Sequence, residues 1–154
     1  MRETAPNFKC RFSAKSAMAL ACALSVSASE AADAHKLALY VTVSDPAKMS
    51  SILDNAANVS RHFTGAGEEV DIVIVGFGPG VSMLLADRSP VAERVKGFEK
   101  SMPNVRFEAC ANSIEAIEKR EHKRPAVLED VSTVESGVAE LLTLSEKGYT
   151  VVQP

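Results

Sequence analysis

The stretch FEACANSI, Phe107 to Ile114, holds the residues whose types and place could do chemistry, Cys110 and Asn112. Apolar and polar residues alternate from Val105 to Ala109, and a helical pattern follows from about Ser113. The thiol therefore stands where a strand gives way to a helix N-terminus. Free N–H groups and the helix dipole favour an anion there, and a thiolate or a persulfide is such an anion. The same placement lowers a thiol's pKa and makes it a nucleophile. A free cysteine also packs well as a small buried hydrophobe. These residues leave both roles open.

A second feature is the turn Gly76-Phe77-Gly78-Pro79-Gly80. It fails the dinucleotide pattern, because Val81 and Ser82 stand where a third glycine is required, and it lacks the Gly-Lys-Ser/Thr of a phosphate-binding loop. It reads as a tight loop that brings backbone close to Cys110 as one wall of a crevice. His35, His62 and His122 have no ligand spacing and no cysteine pair beside them, so no metal site is expected. The chain has no C-x-x-C for dithiol redox work, and His62 and His122 read as solvated rather than as partners of a Cys-His hydrolase. No cofactor is implied.

The elements that must position Cys110 alternate along the chain. Lys36 to Val43 reads as a strand, and Asp45-Pro46 caps a helix to about Thr64 that Gly65 and Gly67 end. Val70 to Phe77 is a nearly continuous apolar run, suited to a strand buried on both faces. Ser89-Pro90 starts a second helix by the same cap logic. Val105 to Ala109 is the third strand, and Asn112 with Glu115 gives a capping box for the third helix, to about Lys123. Two endings stay open. Either a fourth strand near Val131 to Val134 precedes a helix capped by Ser136, or that helix starts at Ser132 and the strand is lost. Tyr149 to Val152 closes the chain as the last strand. This order predicts a three-layer α/β domain, flavodoxin-like or Rossmann-like, with a mostly parallel five-stranded sheet. In such sheets ligands bind beyond the carboxyl ends of the strands. Ser44-Asp45, Gly76 to Gly80 and Cys110 to Asn112 all fall on that edge.

The 154 residues suit one domain, and 46% hydrophobic with 24% charged residues is a globular balance. A net charge of −3, with no Trp, gives no basic footprint or stacking surface for nucleic acid. Residues 1–34 read as a secretory signal peptide. Arg2, Lys9, Arg11 and Lys15 precede the uncharged run Ala17 to Ala28, and Ala32-Asp33-Ala34 offers a cleavage site, with Ala31 as the other choice. The run is too short to span a bilayer, and a lipoprotein anchor at Cys22 is the lesser alternative. Nothing later in the chain reads as a membrane span. Cleavage after Ala34 leaves 13 basic and 17 acidic residues in 35–154, a charge of −4, and removes Cys10 and Cys22. The exported protein then keeps Cys110 alone, which cannot pair within its own chain.

Four segments carry a family resemblance: LDNAAN (Leu53 to Asn58), VIVGFGPGV (Val73 to Val81), FEACANSI, and SGVAELLTLSEKGYTVVQP (Ser136 to Pro154). By their order and spacing, the region from about Lys36 to the C-terminus resembles the DsrE/DsrF-like sulfur-relay family. The resemblance implies a flavodoxin-like sheet over 35–154, assembly into homo-trimers or hexamers, and a fourth strand with Ser136 as the last cap. It implies that Cys110 carries sulfur as a persulfide and passes it to a partner protein's thiol. Asn112 and Gly78, Pro79 and Gly80 would line the same crevice, and Asn55 and Asn58 match family positions on the first helix. The best-known relays work in the cytoplasm, whereas this leader points to the periplasm, where a relay needs a different donor, acceptor and reductant. The rival expectations are a small-ligand or partner-binding module with Cys110 packed beneath, and a protein whose assembly is its output.

Overall fold

The computed structural model describes residues 34–154; the expected leader lies outside them except for Ala34. Strand β1 (His35–Val41) is followed by α1 (Pro46–Gly65), β2 (Val70–Gly76), a 3₁₀ segment (Gly78–Leu84), α2 (Ala92–Ser101) and β3 (Val105–Cys110). Then come α3 (Ala111–Glu121), β4 (Ser132–Val134), α4 (Gly137–Glu146) and β5 (Thr150–Val152). All four strand pairings are parallel, in the order β4-β3-β2-β1-β5. The domain is the three-layer α/β architecture the alternation predicts.

Handedness explains where the helices lie. Passing from β1 through β4 the chain moves one way across the sheet, so right-handed crossovers put the intervening helices on one face. The step from β4 back to β5 runs the other way and puts α4 on the opposite face. The core divides accordingly. Leu39, Ile72, Ile74, Phe107 and Ala109 pack with Met49 and Leu53 of α1, Val95 of α2 and Ile114 of α3. Ala38, Val73 and Val75 meet Leu144 and Tyr149 on the other side. Each large side chain fully buried in this way, Phe107 and Met49 among them, contributes about 1.5–3 kcal/mol.

The second face is thinly covered, and polar residues sit on it. Arg106 pairs with Asp71 and donates to the Tyr149 hydroxyl at 2.9 Å, while that hydroxyl donates to Asp71. Glu108 is buried near them, and its Oε2 is the buried side-chain oxygen without a hydrogen-bond partner among the described residues.

Three local expectations need correction. The Gly-rich stretch is not a plain loop. Gly78 takes a positive φ of 54° and opens a 3₁₀ segment that runs to Leu84. α2 starts at Ala92 with Val91 at the cap, while Ser89 donates its hydroxyl to Met83 O at 2.5 Å and accepts from Val91 N–H at 3.3 Å. α3 starts at Ala111 with Cys110 as its N-cap, so Asn112 lies inside the first turn and forms no capping box. The reason is register: β3 extends to Cys110 because that residue pairs with Val134 of β4. Asp45 and Ser136 do cap α1 and α4, accepting from Ala47 N–H at 2.8 Å and Ala139 N–H at 3.4 Å. No helix among the described residues is long and apolar enough to cross a membrane.

Candidate functional site

Cys110 ends β3 and caps α3, so its sulfur sits at the carboxyl edge of the sheet on the α4 side. The residue is 4% exposed. The S–H donates to Glu135 O at 3.9 Å, and Asn112 N–H donates to the same carbonyl at 3.2 Å. Burial pushes the thiol pKa up. The Ser113 hydroxyl, and after it the backbone at Gly137, Ser113 and Asn112, outweigh it and hold the thiol below its usual range. Cys110 caps α3, and the groups that lower its pKa include the start of α4 at Gly137.

The start of α4 fits there because residue 137 is glycine. A Cβ there would lie 2.8 Å from Phe77 Cβ and 2.9 Å from its Cδ1. Phe77 is the residue between β2 and the 3₁₀ segment, so the glycine turn and the α4 N-terminus are fitted to each other beside Cys110. Gly78 completes the link by donating its N–H to Ser113 Oγ at 2.8 Å.

Beyond Ser113 opens a crevice of about 480 Å³, within the usual range for small-molecule sites. Ser44, Gly78, Pro79, Ser82 and Arg88 line one side, and the α3 residues Asn112, Ser113, Ala116, Ile117 and Arg120 the other. The structure therefore brings Gly78, Pro79 and Asn112 together. Cys110 itself is not on the crevice wall; Asn112 and Ser113, in the helical turn it caps, are. Gly80 is not there either. It is buried against β1, where a Cβ would lie 2.2 Å from Val41 O. Asn55 is half-buried in α1, away from the crevice lining.

Sequence reasoning missed Ser113, Gly137, Arg88 and Arg120. Ser113, Ala116, Ile117 and Arg120 do fall at i, i+3, i+4, i+7, a spacing that marks one helix face. Gly137 meets Phe77 across 60 positions and leaves no local signal. Among the described residues no three His, Cys, Asp or Glu side chains converge as metal ligands. The strand order reverses between β1 and β5, and a smaller hollow of about 360 Å³ lies there, lined by Thr42, Lys48 and Gln153 among others.

Neither a family model nor a curated protein matches the chain. Among solved structures it is similar to MTH1491, a protein of unknown function from Methanobacterium thermoautotrophicum. The two share 25% sequence identity with a TM-score of 0.66, over 78% of this chain and 99% of that one. The likeness supports the α/β fold and carries no activity with it.

Proposed function

We propose that the protein is an exported monothiol sulfur carrier of the DsrE/DsrF-like kind. The Cys110 thiolate attacks the outer sulfur of a persulfide R–S–SH. An S–S bond forms between Cys110 and that sulfur, the donor's own S–S bond breaks, and R–S⁻ leaves with the electron pair. The proton stays on the transferred sulfur, so no oxidant or reductant is consumed. Donation to a partner protein's thiolate is the same step with Cys110 as leaving group.

The observation that carries this reading is the place of Cys110, which ends β3 and caps the N-terminus of α3 within the stretch FEACANSI. That setting favours an anion at Sγ, whether thiolate or persulfide. The family resemblance, the periplasmic location read from the leader, and a homo-trimer or hexamer belong to the same proposal. Val138 and Leu142, 55% and 64% exposed on α4, offer apolar surface for self-association.

The test is polysulfide treatment of the purified protein, with sulfur located by peptide mass spectrometry. The Cys110 peptide gains one or more sulfur atoms, and Cys110→Ser does not. Equal gain in both proteins, or none in either, defeats the carrier. The 4% exposure of Cys110 favours a second reading, a small-ligand or partner-binding module with a structural cysteine. A thiol that alkylates only on unfolding decides for that one.

A further inference from the structure

The α3 wall of the crevice changes character along its length. At the helix N-terminus Asn112 and Ser113 offer hydrogen-bonding groups beside the sulfur. Ala116 and the buried Ile117 form an apolar middle, faced by Pro79. At the far end stands Arg120. Seven residues of helical rise separate Ser113 from Arg120, about 10 Å.

Charge at that far end is specific too. Arg88 is already committed, with both Nη atoms 2.9 Å from Glu121 carboxylate oxygens and further contacts to Asp87. Arg120 approaches Glu121 only at 3.7 Å and is 69% exposed, so its guanidinium keeps donors to spare. A crevice with a sulfur beneath one end, an apolar floor and a spare guanidinium at the other end selects a ligand with the matching order of parts.

We propose that the sulfur donor taken by this crevice is a low-mass organic persulfide whose carboxylate lies about 10 Å from its sulfur and is bound by Arg120. This rests on the carrier reading above and names its substrate class. The carboxylate fits the planar fork of Arg120, and the apolar chain covers Ala116 and Ile117. The outer sulfur enters at the Asn112–Ser113 end of the crevice, the end nearest Cys110. Transfer follows the balanced step already given, with R–S⁻ released as the anionic thiol.

The test compares loading of the Cys110 peptide, by mass spectrometry on the full chain, from two donors. They are the persulfide of mercaptooctanoate and that of its uncharged analogue mercaptooctanol, with inorganic polysulfide alongside. The carboxylate donor loads wild type about tenfold faster than the alcohol donor, the worth of one charge-assisted hydrogen bond. Arg120→Gln abolishes that preference, and Arg120→Lys restores part of it. Equal loading from both donors in wild type, or an undiminished preference in Arg120→Gln, overturns the substrate class while polysulfide loading leaves the carrier standing. If polysulfide also fails to load Cys110, the carrier reading falls and takes this inference with it.

Discussion

The backbone N–H of Gly78 donates to Ser113 Oγ at 2.8 Å, tying the turn after β2 to the first turn of α3. That oxygen still carries a proton to donate, and the Ser113 hydroxyl is first among the groups that lower the Cys110 thiol pKa against burial. One hydroxyl therefore does two jobs. It fixes the glycine turn against α3, and it stabilises a negative charge on Cys110.

Ser113→Ala removes both. The thiol pKa rises, because burial is then opposed by the backbone groups alone. The midpoint of alkylation rate against pH moves upward, and stability drops by about 1 kcal/mol, the usual worth of a hydrogen bond. An unmoved midpoint would mean that the hydroxyl does not act on the sulfur.

Gly137→Ala tests the second helix terminus. The added methyl meets Phe77 at 2.8–3.0 Å, including its Cβ, which cannot swing away as a side-chain tip can. The expected loss is about 1–3 kcal/mol, typical of overpacking, read from urea midpoints. Phe77→Ala in the same chain, which removes the Cγ and Cδ1 contacts, recovers part of it, and a double-mutant cycle measures the coupling. Additive effects would show that the two residues do not share this contact.

What the sequence disclosed of this site follows from how local each signal is. β2 announced itself because it is buried on both faces and reads as unbroken apolar residues. Asp45 was legible as a cap because a cap is a one-turn event, whereas Ser136 competed with Ser132, which has Glu135 at capping-box spacing. Cys110 as the cap of α3 was not legible, since the decisive contact is its pairing with Val134 in β4. Asn112 and Glu115 have the right spacing for a capping box two residues too late. The role of Gly137 is set by Phe77, far away in the chain, and the position of Gly80 by the carbonyl of Val41. Long-range contacts decide these positions, and a glycine does not reveal in sequence which neighbour requires it.

Two glycine substitutions should therefore behave oppositely. At Gly80 a Cβ would lie 2.2 Å from Val41 O and 2.7 Å from Thr42 N, both backbone atoms of the neighbouring strand end. Gly80→Ala is expected to lose more than about 3 kcal/mol, or to prevent folding, as overpacking against rigid backbone does. At Gly97, inside α2, nothing lies within 4 Å of the Cβ position. Gly97→Ala should gain up to about 1 kcal/mol from helix propensity. Thermal or urea unfolding of the two proteins side by side checks this, and a tolerated Gly80→Ala would refute the close packing of the turn on β1.

Glu108 gives the pH dependence. Its carboxyl is pushed above the usual glutamate range by burial first and by Glu140 second, and Arg106, 3.6 Å from Oε1, only partly opposes them. For an acid whose folded pKa is raised, the contribution to stability is complete below the unfolded pKa and is lost as pH rises through the folded one. Ionised Glu108 is thus a liability at neutral pH that its protonated form is not. Glu108→Gln, neutral throughout, should gain stability relative to wild type between about pH 4 and about pH 7. Asp71 titrates in the opposite sense. Burial raises its pKa, but Arg106 and the Tyr149 hydroxyl hold it below the usual range, and its contribution is lost as pH falls. Both proteins keep Asp71, so that loss cancels in the comparison. Unfolding midpoints of the pair across this window decide the matter, and a constant difference would mean that Glu108 does not titrate abnormally in the folded protein.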